Sequence, residues 1–486
     1  MPWNRRGLAG AVTVALALAT GGALRAEEEL LAEESAGIVP ISDENRLVIR
    51  NLKGSVSIQR GETPREVRFL AVTEGGGRTA LRVAVWTEGR TLRIGPRPGS
   101  EEVAHDLQVT IPEPFDVLVE GTGTHVTATE LPGGLEVRGK GVTLEARGVK
   151  GSTVVEIEAG RAVLEGIGAA ATVHGKDLDL VLTNVAGSVS LTLAGGSARV
   201  SAAAGELRAD VDGTALALKG TVEPTVKARG GRVDIDDAFN ADLSLVGTPL
   251  TLTRVRGEVQ VQTDSEARFV DTQAALHFDG YGATVRGKGN DGLVEVKTHA
   301  AEINMEDVDG PVRIEGDGLK IKLRAVTGET LVYVKTSDVE VEASQGRLFV
   351  ENDQGTVTVR GSTGPVEVNA VGGDVHLLEL RGPVELHADS KTAEVSFAIV
   401  PSEKDTLLEN VGGDMHVSFP PSASGRVEAR SRFGKIESDL QNVVTTPDGN
   451  SATGLLGAPG PRTVTVNSGW NIVLTGGPPR PTEERP

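Results

Sequence analysis

Three acidic clusters are the first groups in this sequence able to do chemistry. Asp234, Asp236 and Asp237 stand within four residues of one another. Asp177 with Asp179, and Glu306 with Asp307 and Asp309, form two more. Closely set carboxylates are what a polysaccharide hydrolase or lyase needs for acid–base work. No cluster of Arg, Lys or His stands beside any of these groups along the chain, so they read as solvated surface acids. No catalytic residue is assigned; Asp234, Asp236 and Asp237 are the acids that a cleavage reaction would use. The 8 histidines are scattered. No His pair has ligand spacing plus a carboxylate, so no metal is expected. Gly372, Gly373 and Asp374, like Gly412, Gly413 and Asp414, approach the Gly-Gly-x-Gly-x-Asp stack of calcium β-rolls, but the spaced second motif is missing. The glycine pairs precede strands rather than helices, so they are not phosphate cradles, and no cofactor is expected. Trp86, Trp470 and Tyr281 have the rings to stack on a sugar, but three isolated aromatics read first as cap or core residues.

Composition narrows the field further. The chain has 486 residues, 62 of them glycine, no cysteine, and aromatics at only 3%. Absence of cysteine removes disulfide frameworks, thiol nucleophiles and a lipid-modified N-terminal cysteine. A net charge of −19 argues against nucleic-acid binding, which needs a basic footprint to displace phosphate counterions.

Residues 1–26 read as a signal peptide. Arg5 and Arg6 precede an apolar run over residues 8–20, too short for a bilayer span, and cleavage is expected after Ala26. No later stretch is apolar enough for a transmembrane helix, so the mature chain is expected to be exported and without an integral membrane span. Its address would be the periplasm, the cell surface or the medium.

What must position any site is a repeat. From residue 115 to 386 a small residue, any residue, an aliphatic, any residue and an aliphatic recur about every nine positions. Gly292, Val294 and Val296 are followed by Ala301, Ile303 and Met305, then by Gly310, Val312 and Ile314. The series runs on to Gly382, Val384 and Leu386, giving about thirty units. Each unit reads as one short strand: the aliphatic couple shares a face and the residue between them points away. The remaining residues make a corner, where glycine serves positive φ or close backbone approach.

Thirty such strands exceed what an open meander tolerates, and the turns lack the Asn-Gly and Asp-Gly pairs of hairpins. Membrane β-barrel strands are longer than these. The expected fold is therefore all-β: a parallel, right-handed β-solenoid of about nine residues per strand-turn unit, capped by antiparallel β segments at both ends. Gly292, Gly310, Gly328, Gly346, Gly364 and Gly382 lie 18 apart, and Pro311, Pro365 and Pro383 share that phase. Two strands per turn would put those prolines on one corner; three would scatter them. About fifteen turns give a rod some 70 Å long.

The expected organisation is a flexible acidic lead at 27–45, an N-terminal β cap at 46–112, solenoid repeats at 113–398, a C-terminal β cap at 399–475 and a disordered tail at 476–486. Caps are needed because open strand edges recruit other chains.

Several segments resemble a bacterial group of exported β-strand-repeat proteins classed as candidate adhesins or as a domain of unknown function. The resemblance rests on residues 54–58 (GSVSI), 105–112 (HDLQVTIP), 412–420 (GGDMHVSFP), 431–436 (SRFGKI) and 467–472 (NSGWNI). It implies a β-repeat fold and a surface-interaction role, and carries no catalytic residues to transfer. The functional expectation is an exported, non-enzymatic scaffold or adhesin of the bacterial cell envelope whose partner is a macromolecule such as a glycan or cell-surface component. The alternatives are a polysaccharide-active enzyme on the same scaffold and a purely structural spacer.

Overall fold

A computed structural model describes residues 29–34, 36–50, 53–63, 65–72, 83–96, 104–112 and 114–477. Residues 1–26, read above as a signal peptide, and residues 478–486 of the tail lie outside the described residues. Among the described residues the secondary structure is β throughout, and no helix is long and apolar enough to cross a membrane.

The strands wind into a parallel β-solenoid of about 17 turns, with antiparallel strands at the ends. Each turn holds two strands. Val294–His299 lies on the first face and Glu302–Val308 on the second. One turn later, Val312–Asp317 stacks on the first and Lys320–Val326 on the second. At about 4.8 Å per turn the rod is roughly 80 Å long.

The register explains the aliphatic couples. Val294 pairs with Val312 and Val296 with Ile314, each 18 residues on. Ile303 and Met305 pair with Ile321 and Leu323 on the opposite face. All eight are buried, so like side chains stack along the axis and interlock across a thin interior. Each buried Val, Leu or Ile contributes about 1.5–3 kcal/mol of transfer free energy. Rings fit only where room is made: Phe269 stacks on Phe278 at 6.1 Å, and a Cβ on Gly287, one turn on, would run into the Phe269 ring.

Corners divide the work that sequence assigned jointly to glycine. Each regular turn has two residues in the left-handed region, one per corner. One corner series is Gly282, Ala300, Gly318, Thr336, Gln354 and Gly372; the other is Gly289, Asp307, Ala325, Ala343, Gly361 and Glu379. A single left-handed residue costs only about 1–2 kcal/mol, so non-glycine side chains are tolerated there. The glycines from Gly292 to Gly382 have a different task. A Cβ on Gly310, Gly328, Gly346, Gly364 or Gly382 would collide with the carbonyl of the glycine one turn before. The prolines share this corner, as two strands per turn require. The Pro311, Pro365 and Pro383 carbonyls accept the amides of Val294, Leu348 and Val366 at 2.8–2.9 Å.

Both ends are interleaved. At the N-terminal end, Arg46–Arg50 pairs in parallel with Thr91–Gly95 on one side and Asp116–Thr122 on the other. Lys53–Arg60 likewise lies between Ala104–Ile111 and Thr124–Thr129. The antiparallel strands Glu66–Val72 and Val83–Glu88 cover the outer side, and the acidic lead adds Ala36–Pro40 and Glu29–Glu34 beyond them. At the C-terminal end, Ala458–Ser468 sits between Thr406–Asn410 and Ser424–Ser431. Ile472–Gly476 sits between Asp414–Phe419 and Ile436–Ser438. Ser451–Leu455 closes that end in the antiparallel sense. Segments read from sequence as caps thus supply parallel turns as well as antiparallel strands. In each case the turn nearest the chain terminus lies between two turns from further inside the chain: both follow it at the N-terminal end and both precede it at the C-terminal end.

Candidate functional site

Coil stacking gives the acidic clusters the cations that the linear sequence withholds. Asp234 accepts a 2.8 Å hydrogen bond from Arg232 Nε. Asp236 pairs with Arg254, one turn on, and lies 3.7 Å from Lys219, one turn back. Asp237 occupies a left-handed corner (φ 58°) and pairs with Arg256 at 2.9 Å. Glu306 and Asp307 share Lys288 at 3.5 and 3.6 Å. Asp309 accepts from Thr327 at 3.0 Å, and Asp179 from Ser197 at 2.9 Å. The reading that these acids lack cationic neighbours is therefore corrected for Asp234, whose Arg232 stands two residues back, and for Asp236, Asp237, Glu306 and Asp307, whose cations lie one turn away, 17 to 19 residues along the chain; Asp179 and Asp309 meet hydroxyls instead. The pairs are solvent-exposed, worth about 0–1 kcal/mol each.

The histidines follow the same rule. His277 meets Glu295 at 2.9 Å and His376 meets Glu394 at 3.2 Å, each partner 18 residues on. His416 occupies the next rung beyond Glu394. Glu295 is held below the usual carboxylate range by hydrogen bonds from Lys297 and His277. Among the described residues no group of three or more His, Asp or Glu is placed to hold a metal ion. Asp414 accepts from the Asn471 backbone and side-chain amides at 3.0 and 3.1 Å, a structural bond to the interleaved turn. Tyr281 is exposed beside His299, and Trp86 keeps its indole nitrogen buried at the N-terminal end.

A depression over the C-terminal turns follows from the first-face register. One outward row reads Tyr333, Glu351, Asn369, His387, Glu409, Asn467 and Arg430 on successive rungs. Two residues on, Lys335, Asp353, Val371 and Asp389 form a second row, which continues over Val411 at the corner. Between the rows, the buried column changes from aliphatic to small and polar: Asn352, Ala370, Ala388 and Asn410. A groove runs over this column between the two outward rows. One section, of about 530 Å³, is lined by Glu351, Asn369, Val371, His387, Asp389 and Glu409 among others. A second, of about 300 Å³, shares Glu409 and Val411 and reaches Arg430, Arg432 and Gly469.

Its walls are ordered by cross-rung bonds. His387 Nδ1 meets Glu409 at 3.1 Å, and Asn467 Nδ2 donates to the other Glu409 oxygen at 3.0 Å. His387 Nε2 lies 3.4 Å from Glu385, which also accepts from Lys404 at 3.3 Å. These two neighbours, His387 first, hold the Glu385 carboxyl below its usual range. On the floor, Asn352 donates to the Ser337 carbonyl at 2.8 Å, while its Oδ1 is buried without a partner. Aromatic pairs bracket the groove. Tyr333 and Phe349 lie 5.2 Å apart at one end, with Arg313 over the tyrosine. Phe433 and Trp470 lie 6.2 Å apart at the other, with Arg432 over the phenylalanine. Phe433 is 67% exposed and Trp470 50%. Sequence reading singled out Trp470 but not its neighbours, because Glu409 and Asn467 meet across 58 residues.

No protein-family model matches the chain, and no curated protein does. Among solved structures, the chain is similar to one described as a "putative cell adhesion protein" from Clostridium sporogenes, at 8% identity over 91% of this chain and 99% of that one. The TM-score is 0.13, too low for the likeness to carry an argument.

Proposed function

We propose that this chain is an exported, non-enzymatic β-repeat protein of the bacterial cell envelope that holds another macromolecule along its solenoid surface. The observation that carries the reading is the first-face groove. Residues from turns far apart in sequence converge there into an open, solvent-facing contact surface rather than an enclosed pocket. An open groove ordered by side-chain hydrogen bonds suits the binding of an extended partner. The signal-peptide pattern supports export, and the acids most suited to cleavage chemistry are engaged by cations. Fold alone does not decide function, so the test is direct. Mature protein (residues 27–486) titrated onto bacterial and host cells is expected to bind saturably. Linear, unsaturable uptake contradicts the reading. Release of reducing or unsaturated sugar ends from glycans, abolished by Asp236→Ala with Asp237→Ala, contradicts its non-enzymatic part.

A further inference from the structure

We infer that the first-face groove is a glycan site that takes a neutral or amino-sugar polysaccharide laid along the solenoid axis. This rests on the reading above and names the partner's chemistry. Two features carry it. First, the wall offers a polar side chain on every rung from Glu351 through Asn369, His387 and Glu409 to Asn467. A repeating polyol presents donors and acceptors at a comparably regular interval, and the rungs are about 4.8 Å apart. Carboxylates accept from sugar hydroxyls, and the Asn amides both donate and accept. Second, rings stand at both ends: exposed Tyr333 beside half-buried Phe349, and exposed Phe433 beside exposed Trp470. Flat apolar faces pack against the C–H faces of a pyranose ring while its hydroxyls stay hydrogen-bonded.

Charge selects among glycans. Glu351, Asp353, Asp389 and Glu409 line the groove, so a uronate or phosphate polymer would bring like charge against them. A neutral chain meets no such penalty, and a cationic one meets like charge only near Arg430 and Arg432 in the second section. A peptide adding as a β-strand fits less well: the groove lies on a sheet face whose backbone is already paired to the rungs on either side, and strand addition needs a free edge.

The test is calorimetric titration of the mature protein with cellohexaose, a chitosan hexamer and a galacturonate hexamer. The neutral or amino-sugar oligomer is expected to bind at least tenfold more tightly than the galacturonate. Tyr333→Ala and Trp470→Ala are each expected to weaken binding about tenfold. Tyr281→Ala, an exposed ring outside the groove, should leave it unchanged. All three sites are at least partly solvent-exposed, and an unchanged circular dichroism spectrum shows that each variant folds. Preference for galacturonate, or affinity unmoved by both groove aromatics, overturns the inference. So does binding of none of the oligomers by a protein that still attaches saturably to cells, a result that leaves the proposed function standing.

Discussion

Two stretches of the solenoid obey different arithmetic. Down the second-face column from Val285 to Ala393 each residue pairs with the one 18 further on, and the first face keeps that step from Val294 to Val384. Between Leu207 and Leu276 most steps are 17: Leu207 pairs with Pro224, Val233 with Leu250, and Leu250 with Ala267. The missing residues fall at corners. Buried Val308 and Val312 are four apart, whereas buried Ala238 and Ala241 are three apart. Thr298 and Ile303 are five apart, whereas Thr263 and Ala267 are four apart. What secures the corner changes with its length. The long corners stack glycine on glycine, backbone against backbone. The short ones use side chains. Asn240 accepts from the Glu258 amide at 2.8 Å and donates to Glu223 at 3.1 Å. Asp264 accepts from the Gly247 amide at 2.6 Å. The short corners also leave Val222 and Phe239 exposed. The lesson is that a solenoid conserves the register of its inward couples and lets its corners vary, provided each corner finds a way to bond to the one beneath it.

Substitutions can break that distinction in order of severity. Gly346→Val places a branched side chain where a Cβ already meets the Gly328 carbonyl. It should cost about 3 kcal/mol or more in urea denaturation, the range for overpacking a close-packed site. A loss under about 1 kcal/mol would show that the glycine stack is not tight. Asn240→Ala removes two bonds from a short corner and should cost about 1–2 kcal/mol; a neutral result would mean that the short corners hold without them. Gly247→Ala tests the left-handed role alone. Its φ is 58° and a Cβ there meets nothing within 4 Å, so the expected loss is about 1 kcal/mol, with Asn better tolerated than Ala.

The smallest effect is on pH. Asp264 in the short stretch is held below its usual range chiefly by the Gly247 amide, and Glu385 in the long stretch by His387 and Lys404. A carboxyl whose folded-state value is depressed contributes stability that is present above its ordinary value and lost as pH falls through the folded one. Melting temperature should therefore decline below the ordinary carboxylate range, and Asp264→Asn or Glu385→Gln should each flatten that decline slightly. An acid limb unchanged in both variants would contradict the assignment.

Much of the architecture was legible in the residues, and the reason is physical. An inward aliphatic couple every nine positions demands short strands. Glycine and proline sharing an 18-residue phase fixes two strands per turn where that phase holds, from Gly292 to Gly382. Upstream the phase slips because the corners shorten and Asn240 and Asp264 bond through side chains, beside glycines such as Gly247 and Gly257 that do not keep the 18-residue phase. The interleaved ends were illegible for another reason: Arg46–Arg50 lies between two strands that follow it in sequence, and nothing local encodes that insertion. The groove was hidden likewise. Trp470 stood out as a ring, but Glu409 joins Asn467 only through stacking. Asp236 looked unaccompanied because Arg254 is a full turn away.

The account depends on turns stacking so that rung neighbours 18 residues apart build the outer surface. The chain has no cysteine, so a disulfide can report this cleanly. Asn369 and His387 are paired rungs in the groove wall, and stacked strands bring such Cα atoms to about 4.8 Å, within disulfide range. Asn369→Cys with His387→Cys should cross-link within one chain under mild oxidation, whereas Asn369→Cys with Leu378→Cys, half a turn apart on the opposite face, should not. A bond in the second pair and none in the first would contradict the stacked, two-strand turn on which the groove and its proposed function stand.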